Sequence, residues 1–94
     1  MKQIFRALSS TPGTRYHSHT IRTKIEQELE NNKNYERIPD SMSYNVFHYL
    51  PAGVTVALDG EIVSLFGERI RIGRAVKVLR RISKKIDLRL EEIN

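Results

Sequence analysis

The chain has 94 residues, with 16 Lys and Arg against 11 Asp and Glu, and it contains no cysteine. This length predicts a single domain over residues 1–94, and the lack of cysteine excludes disulfides, thiolate metal sites and thiol catalysis. No apolar run reaches the roughly 18 residues of a membrane span, and there is no secretory apolar region. We therefore expect no membrane association and a cytoplasmic location.

The net charge of +5 is unevenly distributed along the chain. Residues 1–25 hold five basic and no acidic residues, residues 26–68 hold two basic and eight acidic ones, and residues 69–94 hold nine basic and three acidic ones. A basic segment favours contact with nucleic acid or with an acidic protein surface. The acidic middle could instead neutralise the basic end within the fold, depending on whether the two faces meet.

The first elements in the chain are predicted to be a strand and a turn. Residues 2–8 alternate imperfectly between apolar and polar side chains, which favours a short strand. Pro12-Gly13 fits the centre of a type II turn, because proline fixes a negative φ and glycine accepts a positive one. His17 and His19 then form an H-x-H pair. Two histidines without a third spaced ligand are a weak signal, so we predict no metal site.

A helix is predicted after these histidines, because three apolar residues recur at i, i+4 and i+8, namely Ile21, Ile25 and Leu29. Its start is expected at Ser18 or Thr20, either of which could cap it, and Thr23 with Glu26 also fits a capping box. The helix should end near residues 31–34, where asparagine tolerates the left-handed conformation of a C-terminal cap.

The segment before the central hairpin allows two interpretations. Residues 35–39 are predicted to form a loop. Asp40 or Ser41 could cap a short helix over residues 42–50, which Pro51 would end. The aromatic, partly alternating residues 43–50 are also typical of a strand. We favour the helix, because a cap precedes the segment and a proline follows it.

The clearest local signal is the segment of residues 54–66, in which Asp59-Gly60 fits a type I′ hairpin turn. That turn predicts a register that pairs Leu58 with Glu61, Val56 with Val63 and Val54 with Leu65, all on the core face. The strict alternation of residues 69–72 then predicts a third strand. A three-stranded antiparallel meander follows from this pattern.

From Arg74 the apolar period changes to that of a helix, with a stripe that consists of Ala75, Leu79, Ile82 and Ile86. The segment 69–86 carries eight Lys and Arg and no acid. We predict a basic amphipathic helix that continues towards residue 93, with a strand over the tail as the alternative. The predicted fold class is thus a small α+β domain: the antiparallel meander with two or three helices, of which the C-terminal one is basic and amphipathic.

The basic helix carries the predicted function. A merely solvated helix face usually mixes both signs at i,i+4 spacing, and this segment does not. We expect a small non-enzymatic nucleic-acid-binding or regulatory protein without sequence-specific readout, because neither a helix-turn-helix nor an aromatic base-stacking platform is recognisable. The candidate binding residues are Arg69, Arg71, Arg74, Lys77, Arg80, Arg81, Lys84 and Lys85.

The alternative is a protein–protein inhibitor or adaptor that docks the same basic face on an acidic partner. Aromatic anchors for such an interface would be Tyr35, Tyr44, Phe47 and Tyr49, although core packing is the simpler interpretation of Phe47. A homodimer through the apolar stripe of the basic helix is a further possibility.

Enzymatic activity is not expected, and no cofactor is predicted. A metal-independent ribonuclease would need a general acid or base and a cation at the phosphorane. Tyr16, His17, His19 and His48 supply the residue types, but not a spacing that demands the chemistry. Phosphate-binding loops, dinucleotide fingerprints and hydrolase motifs are missing from the sequence.

Overall fold

The computed structural model describes residues 1–39 and 45–93. Within these ranges the chain forms six strands and two helices. In chain order they are β1 (Lys2–Ser9), α1 (Ser18–Glu30), β2 (Tyr35–Arg37), β3 (Asn45–Tyr49), β4 (Val54–Asp59), β5 (Ile62–Phe66), α2 (Arg69–Lys85) and β6 (Leu88–Ile93).

All six strands form one antiparallel sheet in the order β2-β3-β4-β5-β1-β6. Helix α1 contacts β2 and β4, and helix α2 contacts β4 and β6. The side chains that the strands bury lie on the same face of the sheet as the two helices. The predicted α+β class is therefore confirmed, with more strands than the three or four that were expected.

The core lies between this face of the sheet and the two helices. Phe5, Phe47 and Val56 are completely buried on three strands of the sheet. They meet the apolar stripes of both helices, which consist of Ile21, Ile25 and Leu29 on α1 and of Ile72, Ala75, Leu79 and Ile82 on α2. Burial of these surfaces is the main force that holds the layers together. The α2 stripe is covered by the protein's own core, so the predicted homodimer through it is wrong.

The start of α1 and the turn before it agree only partly with the predictions. Thr14 N donates to Thr11 O at 3.2 Å across Pro12-Gly13, and Gly13 has a φ of 81°, as a type II turn requires. Helix α1 begins at Ser18, which had been proposed as a cap; the N-cap position is His17, and no side chain caps the helix. The predicted caps are wrong.

The hairpin has a different register from the predicted one. Asp59 pairs with Ile62, so Gly60 and Glu61 form the two-residue turn. Gly60 has a φ of 60° at the first turn position, which is where a type II′ turn needs glycine. The observed register sets Leu58 against Val63, whereas the predicted one would have placed the Glu61 carboxylate on the core face. The apolar residues of the two strands still form the core face, as predicted.

Residues 69–72 form the first turn of α2 and are not a third strand. Ile72 N donates to Glu68 O at 2.8 Å, which starts the helical hydrogen bonding. Ile72 is completely buried, but Ile70 is 80% exposed. Four residues are too few to separate a period of 2 from a period of 3.6. The burial of Ile72 fits the helix, because it lies in register with Ala75 and Leu79.

The segment after residue 44 is a strand, and the predicted helix over residues 42–50 is wrong for its described part. Phe47 and Tyr49 point into the core, while Val46 and His48 lie on the other face, which is the alternation of a strand. Residues 35–37, predicted as loop, form β2 beside it. The proposed caps Asp40 and Ser41 lie outside the described residues.

The tail after α2 is also a strand, so the predicted continuation of the helix is wrong. Asp87 has a φ of 60°, and this left-handed residue follows the last helical turn and ends the helix. Leu88 and Leu90 then alternate into the core as part of β6.

The Asp87 carboxylate connects this junction to the loop after β1. Ser10 Oγ and Thr11 Oγ1 each donate to Oδ1 at 2.7 Å, while Ser9 Oγ at 3.1 Å and Tyr16 Oη at 2.7 Å donate to Oδ2. The hydrogen bonds from Thr11, Ser10 and Tyr16 hold the pKa of Asp87 well below its ordinary value. The same contact with Asp87 raises the pKa of Tyr16. This carboxylate ties residues that are more than 70 positions apart in sequence.

Candidate nucleic-acid interface

Helix α2 presents one side to the core and the opposite side to solvent. All eight predicted binding residues lie on this helix and are exposed. The first turn of α2 contains no acidic residue. Two of the eight, Lys84 and Lys85, lie in the last turn, where positive charge complements the helix dipole.

Two of the eight predicted residues are engaged within the fold. Arg80 Nη1 donates to Leu90 O at 2.8 Å, and its guanidinium lies 5.5 Å from the ring centroid of Phe5. Arg71 Nε lies 3.3 Å from Glu68 Oε2. Arg80 therefore connects α2 to β6, and part of the Arg71 charge is neutralised. The contacts of Arg80 had no signal in the sequence, because Leu90 and Phe5 lie outside the helix, whereas Glu68 and Arg71 are visible as an i,i+3 pair.

The other six basic residues make no ion pair with an acid in residues 1–39 and 45–93. Five of them lie on the side of α2 opposite the buried stripe, at positions that a period of 3.6 brings together. We call this group the α2 basic face; it consists of Arg74, Lys77, Arg81, Lys84 and Lys85. The sixth, Arg69, lies at the flank of this face.

Two acids of the middle segment, Glu26 and Glu30, are paired with an arginine of β2. Arg37 Nη2 donates to Glu26 Oε1 at 2.9 Å and also to Glu30, while its Nη1 donates to Asn45 Oδ1 at 2.8 Å. Its guanidinium also lies 4.7 Å from the ring centroid of Phe47. The hydrogen bond to Glu30 is the main cause of the raised pKa of Arg37. Two acids of α1 are thus held against β2, and they do not neutralise the α2 basic face.

The dimensions of the α2 basic face suit a polyanion. From Arg74 to Lys84 the helix rises about 15 Å at 1.5 Å per residue. Duplex DNA carries one phosphate per roughly 1.7 Å of its axis, so several phosphates lie within this length. Ile70, which the sequence pattern had assigned to the core, is instead exposed, and it lies on the same side of the helix as the α2 basic face.

The aromatic residues that were considered as partner anchors belong to the core where they are described. Phe47 is completely buried, and Tyr35 and Tyr49 are buried with ring centroids 4.9 Å apart. Burial raises the pKa of the Tyr35 hydroxyl. Tyr44 lies outside the described residues. An aromatic interface from the other three is therefore wrong, and core packing of Phe47 is confirmed.

The histidines do not assemble a site among the described residues. His17 occupies the N-cap position of α1 without a capping hydrogen bond from its side chain, His19 Nδ1 lies 3.1 Å from Arg22 Nη2, and His48 is on the face of β3 opposite the core. Groups of three His, Asp or Glu side chains that could hold a metal ion are not found in the described part of the chain.

A cleft with a volume of about 740 Å³ lies away from α2, at the end of β1. Three arginines line it, namely Arg6, Arg15 and Arg89. Arg6 Nε lies 3.9 Å from Glu61 Oε1, and Arg89 is hydrogen-bonded to Glu91, so carboxylates already face two of the three. This balance makes the cleft a weaker anion site than the α2 basic face.

Within the described residues, neither helix is long and apolar enough to cross a membrane. The comparisons with known proteins give no further guide to the site, since no family model, curated protein or solved structure matches the chain.

Proposed function

We propose that this protein is a small non-enzymatic nucleic-acid-binding or regulatory protein that contacts phosphates through the α2 basic face. One observation carries the proposal: five exposed cations lie on one side of one helix, with no acidic partner among the described residues. Unpaired cations of this kind release condensed counterions from a nucleic acid and so favour binding. The lack of cysteine is compatible with the cytoplasmic location that we include in the proposal.

The proposed contact is to the phosphate backbone and not to a base sequence. The side chains proposed to contact phosphate oxygens are Lys77, Arg81, Lys84 and Lys85. Such contacts position a protein on the nucleic acid but carry no information about the base sequence. We expect binding that depends on the shape and charge of the polymer.

The test is fluorescence anisotropy with labelled duplex DNA, single-stranded DNA and RNA over a series of salt concentrations. Five phosphate contacts predict that log K falls against log salt with a slope of about −4.5 for duplex DNA and about −3.5 for single strands. The polymer with the tightest binding identifies the class of target. Absence of binding to all three polymers at low salt would overturn the proposal.

A charge reversal on the α2 basic face separates binding from folding. Arg81→Glu combined with Lys84→Glu should weaken binding strongly and leave the thermal unfolding transition in place, because both side chains are exposed. Circular dichroism on the same samples is the control. Unfolding of the double variant would mark this face as structural and would contradict the assignment.

A second candidate function is docking of the α2 basic face on an acidic protein surface, as an inhibitor or adaptor. The observation that favours it is Ile70, which is 80% exposed beside the cations, because an apolar anchor adds little to phosphate contact. If a protein partner is captured, competition distinguishes the two functions. Displacement of the partner by polynucleotide supports the first candidate, and loss of partner binding in Ile70→Gln with unchanged polynucleotide binding supports the second.

A further inference from the structure

Among residues 1–39 and 45–93, no helix lies on one face of the sheet, and that face carries apolar side chains beside charged ones such as Arg6, Asp59 and Arg89. The two helices cover only the opposite face. On the uncovered side, a solvated antiparallel sheet is normally polar. Here apolar side chains are half-buried or exposed on five strands, namely Ile4, Leu8, Val46, Ala57, Ile62, Phe66 and Ile93. We call this side the open face.

The centre of the open face is a continuous row of small and apolar side chains. Directly paired positions run across five strands in the order Val46, Ala57, Ser64, Ile4 and Ile93. We call this the apolar row. A hollow of about 320 Å³ opens beside it, between β3 and β1. Isolated exposed apolar residues are ordinary on a protein surface, but a contiguous row of this kind marks an interaction surface.

A neighbouring row carries opposite charges at its two ends. Paired positions run in the order Glu36, His48, Thr55, Phe66 and Lys2. Both end residues are exposed and have no ion pair within residues 1–39 and 45–93, although Lys2 Nζ lies 5.6 Å from the ring centroid of Phe66. The row is therefore negative on the β2 side and positive on the β1 side.

We propose that the open face binds a second copy of this chain, so that two sheets pack face to face with the helices outside. A two-fold axis parallel to the strands exchanges the two sides of the face. It brings Lys2 of one copy towards Glu36 of the other, twice, and it lies over β4, so that Val46 of one copy meets Ser64 of the other. The same face mixes both signs, so it allows close approach of two chains that each carry a net charge of +5.

The size of the open face sets the expected strength of the dimer. Six strands about 4.8 Å apart and rows about 6.8 Å apart give a face of roughly 24 Å by 20 Å. Its area is therefore about 480 Å², less than the roughly 800 Å² of accessible surface per partner in a typical specific interface, as in weak or transient complexes. A reversible dimer with a dissociation constant in the micromolar range is expected. The α2 basic face stays exposed on each copy, so this inference does not depend on the proposed function.

Sedimentation equilibrium of the full chain, centred on a concentration of about 50 µM, tests the dimer. We expect Phe66→Gln to weaken the dimer about tenfold, because it removes an apolar side chain from the interface. The matched control is Ile70→Gln, which removes an exposed apolar side chain from the helical side and should leave the dimer unchanged. Phe66 is 39% exposed, so its replacement should not unfold the chain, and thermal melts verify this.

A charge exchange tests the two-fold arrangement. Lys2→Glu and Glu36→Lys should each weaken association, because like charges then meet, and the double variant should restore it. A monomer at every concentration would overturn the proposal and leave the open face to another partner. A dimer that Ile70→Gln disrupts and the open-face variants do not would overturn it as well.

Discussion

Replacing Lys77 and Lys84 with glutamine removes two of the five cations of the α2 basic face. Both side chains are exposed on one side of α2, and glutamine is about as good a helix former as lysine, so the fold should be unaffected. With five phosphate contacts the duplex-DNA salt slope is about −4.5, and with three it is about −2.7. Between 50 and 200 mM salt the wild type should lose affinity roughly 500-fold and the variant roughly 40-fold.

The assay is anisotropy titration of both proteins on the same duplex at four or more salt concentrations. Lys33→Gln serves as the charge-matched control for the single variant Lys84→Gln, because Lys33 is an exposed lysine in the turn between α1 and β2. Only Lys84→Gln should lower the slope, by about 0.9. Equal slopes for wild type and the Lys77/Lys84 double variant would refute phosphate contact by the α2 basic face. An equal effect of Lys33→Gln would show that net charge alone decides binding.

Three further predictions concern stability. Because the native pKa of Asp87 is lowered, its carboxylate stabilises the fold above about pH 3.9, the usual unfolded-state value, and this contribution is lost as the pH falls towards the native pKa. Thermal melts should therefore show a lower Tm for Asp87→Asn at pH 7 and a gap from wild type that narrows below pH 4; a constant gap would contradict this origin. Phe5→Ala should lower the free energy of unfolding in urea by about 3–5 kcal/mol, because Phe5 is completely buried. Phe66→Ala should lower it by about 1 kcal/mol or less, because Phe66 is 39% exposed. Equal losses for the two variants would argue against the core described above. Arg37→Gln should cost about 1 kcal/mol in the same assay, a modest effect because solvent screens a side chain that is 35% exposed, and high salt should reduce it.

Much of the fold follows from apolar periodicity, and the errors arise where a short segment fits two periods. The long pattern of Ile21, Ile25 and Leu29 predicted α1, and the two apolar runs around Gly60 predicted β4 and β5. Residues 69–72 and 45–49 are too short for their period to decide between strand and helix. Their state is fixed by what lies beside them, which is the continuation of α2 in one case and pairing with β2 and β4 in the other.

The sequence allowed prediction of which basic residues lie on α2, but not of which of them are engaged in contacts within the fold. Helical spacing placed the basic residues of α2 opposite Ala75 and Leu79, as in the structure. The engagement of Arg80 with Leu90 depends on β6, which was predicted as helix, so the sequence did not reveal it. The apolar row of the open face was not predictable either, because it exists only through the register of five strands, two of which, β1 and β6, come from distant parts of the chain.

The position of β1 in the sheet has a consequence for the chain during its synthesis. Both neighbours of β1 come much later in sequence, since Phe5 pairs with Val63 on one side and Ala7 pairs with Leu90 on the other. Strands that are so far apart in sequence pair slowly during folding. A nascent chain in which residues 88–93 are still inside the ribosome presents one side of β1 with unpaired N–H and C=O groups, which is a template for association with other chains. The interval before β6 emerges is therefore the period in which this protein is most exposed to aggregation.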